Sequence, residues 1–473
     1  MSADHRTDRV APRLNRRGLL VMGGGLVAAA CAPDGRAAGG DERLRSAVRG
    51  RVLLSGDEGF EQARQPWNLT VEQSVRAVVE PADADDAARL VRYARDAGHT
   101  LTVQSSGHGA SDALAGAILV RTNRFDEVRV DPGARTARVG AGATWARVLT
   151  APGAHGRTGV TGSAPQVGIT GFTLGGGLSW FSRKYGWAAD NVTAFEVIDA
   201  DARKLRVTAS SEPDLFWALR GGGGDYAMVT ALELALHPVP ALYGGRMAWP
   251  VDRAREVMAA FREIVAGAPE ELTLWCSLSQ FPNAPALISV SVTYLGDAGT
   301  GQALLAPLDR IGGRIADTRA LMQLTDIGTI TAEPTKPTPS LHHTALLTDL
   351  TDTVVETLLA ESISPLVSVQ IRHLGGALAR PSDSAAGAVP EPFCLTCYGL
   401  ATNPSAATEF QKRVRDYLGR LGLIPSGRTP FSFLAPGQSA ADALGADTLA
   451  RLRDIKRDRD PKGVFRANFP VLT

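Results

Sequence analysis

Glycine constrains this chain more than any other residue, because many of its 50 glycines among 473 residues gather into short clusters. Three stand out: residues 105–109, residues 168–177 (GITGFTLGGG) and residues 221–224. A backbone without Cβ reaches positive φ and approaches a ligand directly, and successive N–H groups in such turns form a concave anion site. The clusters therefore predict loops that cradle a phosphate-bearing group. None reads G-x-G-x-x-G between a strand and a helix with an acidic residue about 20 positions on, so a Rossmann dinucleotide domain is not predicted.

Length and charge set the frame around those loops. A chain of 473 residues, 44% hydrophobic and 21% charged, exceeds a single hydrophobic core and predicts a globular protein of two or more domains. Lys and Arg total 50 against 49 Asp and Glu, and the first 30 residues alone hold five arginines against two aspartates. The remainder is slightly acidic, which argues against nucleic acid or an anionic membrane surface as a partner. No fixed-period repeat is present, and no G-x-S-x-G motif supports a hydrolase.

The N-terminus reads as an export signal. Arg16-Arg17 precedes an uncharged run from Gly18 to Ala30. Such a run rises only about 20 Å as a helix, short of the roughly 30 Å hydrocarbon core, so a permanent membrane span is the weaker reading. Paired arginines before a Gly-rich, mildly hydrophobic stretch resemble a twin-arginine signal, which predicts a periplasmic or extracellular location. Ala28-Ala29-Ala30-Cys31 resembles a lipobox with Ala where Leu is usual. A membrane tether through a lipidated Cys31 and simple cleavage both stay open. The other cysteines, Cys276, Cys394 and Cys397, are too few for a disulfide framework. Cys394 and Cys397 have CxxC spacing on a predicted strand, where residues i and i+3 face opposite sides, so neither a shared metal nor a disulfide follows.

Element patterns give an α+β chain. Residues 83–98 predict a helix, with Ala87, Leu90, Val91 and Ala94 at helical spacing and Gly98 as its stop. A strand at 100–104 ends in eight turn formers, residues 105–112, before an apolar run at 117–121. Residues 136–139 read as a strand leading into a short helix. Residues 194–199 pair with 204–208, Ser211 caps a helix at 212–219, and an alternating strand spans 228–236. Beyond residue 242 glycine thins, and helices at 252–265, 301–311 and 404–421 alternate with strands at 272–278, 288–295, 366–372 and 393–398. This predicts a leader and linker at 1–40, a first domain at 41–240, a second at 241–430 and a C-terminal segment at 431–473. The Pro-rich residues 333–340 and the Ser/Ala/Gly run 381–392 predict surface loops.

Five ordered blocks now carry a resemblance. They are SSGHGASD around His108, the long block from Gly162 to Asn191, DLFWALRGGGGDYAMVTALELALHPV from Asp214, RHLGGA from Arg372, and DPKGVFRAN ending at Asn468. Together they resemble the berberine bridge enzyme-like family of FAD-linked oxidases, from Pro66 to the C-terminus, densely to Val239 and sparsely beyond. The resemblance implies a vanillyl-alcohol-oxidase-type fold: a bipartite FAD-binding domain, a substrate domain with an antiparallel sheet, and a C-terminal segment returning to the FAD-binding domain. It implies that Ser106, Gly107, His108, Gly109 and Ser111 face the cofactor phosphates, with His108 bonded covalently to the flavin. It places Gly168, Gly171, Gly175, Gly176, Asp190 and Asn191 along the flavin and ribityl chain, and Asn468 beside the flavin. Many members add a second link through a cysteine; here that position is Ala164, so one link through His108 is expected. Pro470 stands where the tail's partner residue would be.

The activity implied is that of an exported FAD-dependent oxidase acting on a small-molecule alcohol, sugar or natural-product hydroxyl, with O2 as acceptor. The family's tyrosine base maps onto Pro430-Phe431-Ser432-Phe433, where Pro stands for Tyr and Ser for Asn. That departure keeps two other outcomes open: a redox-neutral cyclase or a dehydrogenase, and a flavin-binding protein without turnover. Tyr398, on a strand expected to face the flavin, and His373, in the RHLGGA block, are the substitute catalytic candidates. His342-His343 after the Pro-rich loop is predicted as a solvent-exposed pair and makes no metal site, having no carboxylate or third ligand nearby.

Overall fold

The helix expected at 83–98 forms from Ala84 to Ala97 in the computed structural model, which describes residues 42–472. The Asp83 side chain accepts from the Asp86 amide at its start, and Gly98 closes it with φ +69°. Both are signals that sequence alone carries. The helix crosses over between the strands Ala77–Glu80 and Leu101–Gln104, which flank Ile118–Arg121 in parallel; Arg51–Leu54 adds an antiparallel edge. A second, antiparallel sheet follows, in the order Val128–Asp131, Thr136–Gly140, Met228–Ala235, Val192–Ile198, Lys204–Val207. The predicted pairing of 194–199 with 204–208 is present, in the register Phe195 opposite Val207 and Ile198 opposite Lys204.

An eight-stranded antiparallel sheet occupies residues 243–400. Its central strands Leu272–Ser279, Leu287–Tyr294, Ser368–His373 and Phe393–Leu400 include the four expected ones, each displaced by at most two residues at either end. Alternate side chains on these strands point to opposite faces. Leu274, Cys276, Val369, Ile371, Leu395 and Cys397 pack with the helices Ala254–Ala266, Asp352–Leu359 and Ala406–Leu421 into the largest core. Trp275, Arg372, Cys394 and Tyr398 are left to the other face. Cys394 and Cys397 accordingly belong to different cores, are not disulfide-bonded, and have thiols pushed up by burial to about 11 and about 12.

Several element expectations are corrected. Ser211 is not the helix cap: Glu212 stands there at φ +62°, and the helix starts at Pro213, where a fixed φ suits the first turn. The single helix expected at 301–311 is two, Ala298–Leu304 and Ala306–Asp309, because Pro307 lacks the N–H that would continue the first. Strands Tyr243–Pro250 and Ser340–Leu347 form where none was expected.

The C-terminal segment is fixed beside strand Leu101–Gln104. Leu101 N donates to Val464 O (2.7 Å) and Arg466 N to Leu101 O (2.9 Å). Buried Lys456 donates to Asp225 O (2.6 Å), Asp460 Oδ2 (2.7 Å) and Phe465 O (2.7 Å). Asp225 in turn accepts from Ala467 N (2.8 Å) and Val471 N (3.0 Å). This network sets the position of Asn468. Arg16-Arg17 and Cys31 lie outside the described residues.

Candidate active site

The turn formers after strand Leu101–Gln104 build one end of the site. Gly107 turns the chain at φ +73°, where a Cβ would come within 3.1 Å of Pro66 Cα. Among the described residues no group accepts from the amides of Ser106, Gly107, His108 or Gly109, so four successive N–H donors stand free. Gly168 closes against this loop: its amide donates to Ser106 Oγ (3.2 Å), and a Cβ there would fall 1.8 Å from Ser105 Oγ. Beneath lies Arg121, buried with no carboxylate in ion-pair reach among the described residues. It donates to Ala63 O (3.0 Å), Gln65 O (2.7 Å), Ser105 O (3.2 Å) and Gln104 Oε1 (3.3 Å). Burial lowers its pKa to about 10, which leaves it cationic at neutral pH and adds a positive field under the free amides.

His108 lies over this loop. Its ring stacks on Trp67 with centroids 4.2 Å apart and planes 18° from parallel, and its Nδ1 sits 2.8 Å from Ser106 Oγ. Burial lowers its pKa to about 4, so the imidazole is neutral and nucleophilic at pH 7. The tail crosses the same loop. Asn468 Oδ1 accepts from Ser111 N (3.0 Å) and Gln104 Nε2 (3.2 Å), and Ser111 Oγ donates to Asn468 O.

The other end belongs to the eight-stranded sheet. Tyr398 stands directly opposite His342 on one neighbouring strand and Ser368 on the other. Arg372 Nη2 donates to Tyr398 Oη (3.2 Å) and Arg372 Nε to Gln370 Oε1 (2.7 Å). The guanidinium lies 3.9 Å from the Trp275 ring centroid and 4.9 Å from that of Phe433. Burial raises the Tyr398 pKa above its ordinary 10, with Arg372 opposing. Burial lowers that of His342, against hydrogen bonding to the backbone of Leu434 and Phe433.

One cavity of about 1610 Å³, its open mouth included, joins the two ends. Its wall holds the loop at 105–109, Gly168, Gly171, Gly175, Gly223 and Gly224, the segment 431–434, the tail at 467–469, and Glu333, His342, Arg372 and Tyr398. Ser432 N donates to Gly175 O (3.1 Å), while its buried Oγ has no partner among the described residues. Free amides at one end, an orphaned hydroxyl in the wall and a floor of glycines fit a large phosphate-bearing ligand with a flat ring.

Comparison with known proteins agrees. The family model for an FAD binding domain matches residues 75–208. The FAD-linked oxidoreductase iacH of Pestalotiopsis fici is 26% identical over 88% of this chain and 86% of its own length. The (R)-6-hydroxynicotine oxidase of Paenarthrobacter nicotinovorans is 23% identical over 90% of this chain and 97% of its own. Residues 75–208 thus match an FAD binding domain, and the chain is similar to FAD-linked oxidoreductases and oxidases over most of its length. Among solved structures, glucooligosaccharide oxidase from Acremonium strictum superposes with a TM-score of 0.79 at 21% identity, covering 91% of this chain and 98% of that one. Its FAD is described as 6-S-cysteinyl and 8α-N1-histidyl.

In this chain the sequence-predicted residues divide into two groups. Ser106, Gly107, His108, Gly109, Gly168, Gly171, Gly175, Asn468 and Tyr398 line the cavity. Ser111, Gly176, Asp190, Asn191 and His373 do not. Ser111 anchors the tail, and Gly176, at φ +93°, packs on Trp187. Asp190 accepts from Trp187 N (3.0 Å), Ser382 Oγ (2.7 Å) and Ser384 Oγ (2.7 Å). Asn191 donates to Tyr185 O (2.9 Å) and Trp187 O (2.7 Å) and contacts His237 Nε2 at 2.6 Å. These side chains are used up in holding the segment behind the cavity. His373 is corrected too: strand alternation turns it from the cavity, where its Nε2 accepts from buried Arg183 (2.8 Å) and its pKa falls to about 3, by burial first and the Arg183 charge second. The structure brings its neighbour Arg372 to the wall instead. His342 is likewise not exposed but faces the cavity. Its register opposite Tyr398 is the signal that finds it, once strand Ser340–Leu347 is known.

The residues present fit FAD. The free amides at 106–109, with Arg121 below, would hold its pyrophosphate. His108 stands at the same loop as the group able to bond the flavin, and Ala164 in the wall offers no thiol for a second link.

Proposed function

We propose that this chain is an exported FAD-dependent oxidase that converts a hydroxyl-bearing carbon of a small molecule to a carbonyl, with its flavin bonded through His108 alone. Residues 41–240 with 431–473 would hold the cofactor, and residues 241–430 would recognise the substrate. The observation that carries this reading is the single cavity that runs from four free amides to a cluster of proton-transfer groups. Bound FAD would take up hydride from the substrate carbon and pass the electrons to O2, giving hydrogen peroxide. The chain's own part is to hold the substrate hydroxyl and take its proton. Burial keeps Tyr398 protonated at neutral pH, so its O–H donates a hydrogen bond to the substrate oxygen. Burial keeps His342 unprotonated, so a ring nitrogen has a lone pair for the hydroxyl proton. The histidyl FAD of the glucooligosaccharide oxidase supports the link at His108, and the arginine pair at 16–17 supports export.

Acid precipitation of the purified protein tests the cofactor. Yellow colour that stays in the pellet and is lost in His108→Ala establishes the bond, whereas flavin released to the supernatant leaves FAD but removes the link. A colourless protein that cannot be reconstituted with FAD overturns the oxidase. Peroxide release on an alcohol and sugar panel then tests the acceptor; substrate turnover without peroxide would indicate a dehydrogenase or a redox-neutral cyclase, and no turnover at all a flavin-binding protein. Secretion of a reporter fused to residues 1–40, lost when Arg16 and Arg17 are both changed to Lys, tests export.

A further inference from the structure

Three arginines are buried without a carboxylate in ion-pair reach among the described residues, and they spend their donors differently. Arg121 directs every guanidinium nitrogen to a carbonyl or amide oxygen. Arg183 does the same, to Leu272 O, Leu374 O, Ala268 O and Pro269 O, with His373 as a further acceptor. These two are structural. Arg372, 5% exposed, gives Nε to Gln370 and one Nη2 bond to Tyr398, and its Nη1 has no acceptor among the described residues. Unlike the other two, it lines the cavity.

Its surroundings hold it ready for an anion. Trp275 and Phe433 flank the guanidinium, and Gln370 fixes Nε. Of the other titratable groups in the wall, His108 is neutral at pH 7, His342 is held neutral by burial and Tyr398 is protonated. Glu333, the one carboxylate there among the described residues, sits exposed on the Pro-rich loop and takes a hydrogen bond from Thr331 Oγ1 (3.2 Å). A buried guanidinium with a free donor opening into a cavity favours a partner of opposite charge, and its planar fork matches a carboxylate best.

We infer that Arg372 is the carboxylate-binding residue of the substrate site, so that the natural substrate is a hydroxy acid whose carboxylate meets Nη1 while its hydroxyl reaches Tyr398 and His342. The assignment of the hydroxyl rests on the oxidase reading, whereas the assignment of the carboxylate stands on Arg372 alone.

Calorimetric titration of the flavin-loaded protein with benzoate and its neutral isostere benzamide tests it. Benzoate is expected to bind at least tenfold more tightly, and the preference to be lost in Arg372→Gln and partly kept in Arg372→Lys, which retains charge without the planar fork. Equal affinity of the wild-type protein for the two probes overturns the inference, as does a preference that survives Arg372→Gln. So does a variant that shifts the flavin potential or sulfite affinity while leaving the benzoate preference intact, since Arg372 would then serve the cofactor. Should Arg372→Gln fail to fold, the wild-type pair and Arg372→Lys still decide. Because the readout is binding, a yellow protein without anion preference fails only this inference, whereas a protein that takes up no FAD fails the oxidase reading.

Discussion

At the scale of single residues, the chemistry rests on which groups hold protons at neutral pH. His342 and Tyr398 stand opposite each other on paired strands, yet burial acts on them in opposite senses: it lowers the imidazole pKa and raises the phenol's. The neutral base and the neutral acid are therefore both present at pH 7. His342→Gln is expected to lower kcat by about 10²- to 10⁴-fold, the range of general-base catalysis. Tyr398→Phe, which loses one hydrogen bond in the transition state, is expected to cost about tenfold. The sign of the pH dependence follows from the imidazole. Activity is full where His342 is unprotonated and falls as pH drops through its lowered pKa, so the acid limb lies below the ordinary 6.5 and disappears in His342→Gln but not in Tyr398→Phe. A kcat/KM profile of the three proteins checks this; an acid limb that persists in His342→Gln assigns the proton to another group. The tyrosine could be singled out from sequence because the implied architecture places its strand facing the flavin. The two residues beside it in space could not. Arg372 and His373 are adjacent in the chain, and only the register of the sheet decides which one meets the cavity.

At the scale of elements, legibility followed how local the physical requirement is. A glycine turn is demanded by φ and by the nearest backbone, so the three clusters could be read directly, as could the helix Ala84–Ala97 with its Asp and Gly caps. Strand Ser340–Leu347 gave no such sign. Only its second half, Thr344–Leu347, is fully buried, its sequence SLHHTALL lacks alternation, and its place at the edge of the sheet is set by pairing with the distant strand Phe393–Leu400. Two glycines on one short helix boundary separate packing from ligand approach. At Gly168 a Cβ would fall 1.8 Å from Ser105 Oγ, whereas at Gly171, inside helix Ile169–Leu174, it would meet nothing within 4 Å. Gly168→Ala is therefore expected to lower both the melting temperature and the bound flavin. Gly171→Ala is expected to stabilise the flavin-free protein by about 0.5–1 kcal/mol while lowering its flavin content, because the space at Gly171 belongs to the ligand. Thermal melts with and without FAD, and the flavin-to-protein absorbance ratio, separate the two; unchanged flavin in Gly171→Ala would make that glycine a neutral position.

At the scale of the whole molecule, the cavity needs parts of the chain more than 350 residues apart to meet, since Asn468 bonds Gln104 and Ser111. The sequence resemblance placed the C-terminal block near the cofactor, but the means of holding it there is a buried ion network that no spacing reveals. Lys456, 4% exposed, bonds Asp460 at 2.7 Å and lies 3.9 Å from Asp225, and each of these acids is also bonded to tail amides. Removing one partner of such a network leaves buried carboxylates uncompensated, which costs about 3–5 kcal/mol. Lys456→Met keeps the stem's volume and removes the charge. It is expected to lose about that much stability in denaturant unfolding and to free the tail, so that Asn468 no longer bonds Gln104 and Ser111 and flavin is retained less well. The double variant Lys456→Met with Asp460→Asn removes both charges of the closest pair and should recover part of the stability. The flavin need not return with it, because the amides of Val464 and Phe465 lose a carboxylate acceptor in the same change. Full flavin retention in Lys456→Met, despite the lost stability, would mean that the tail is held without the lysine, by its bonds to Leu101, Ser111, Gln104 and Asp225.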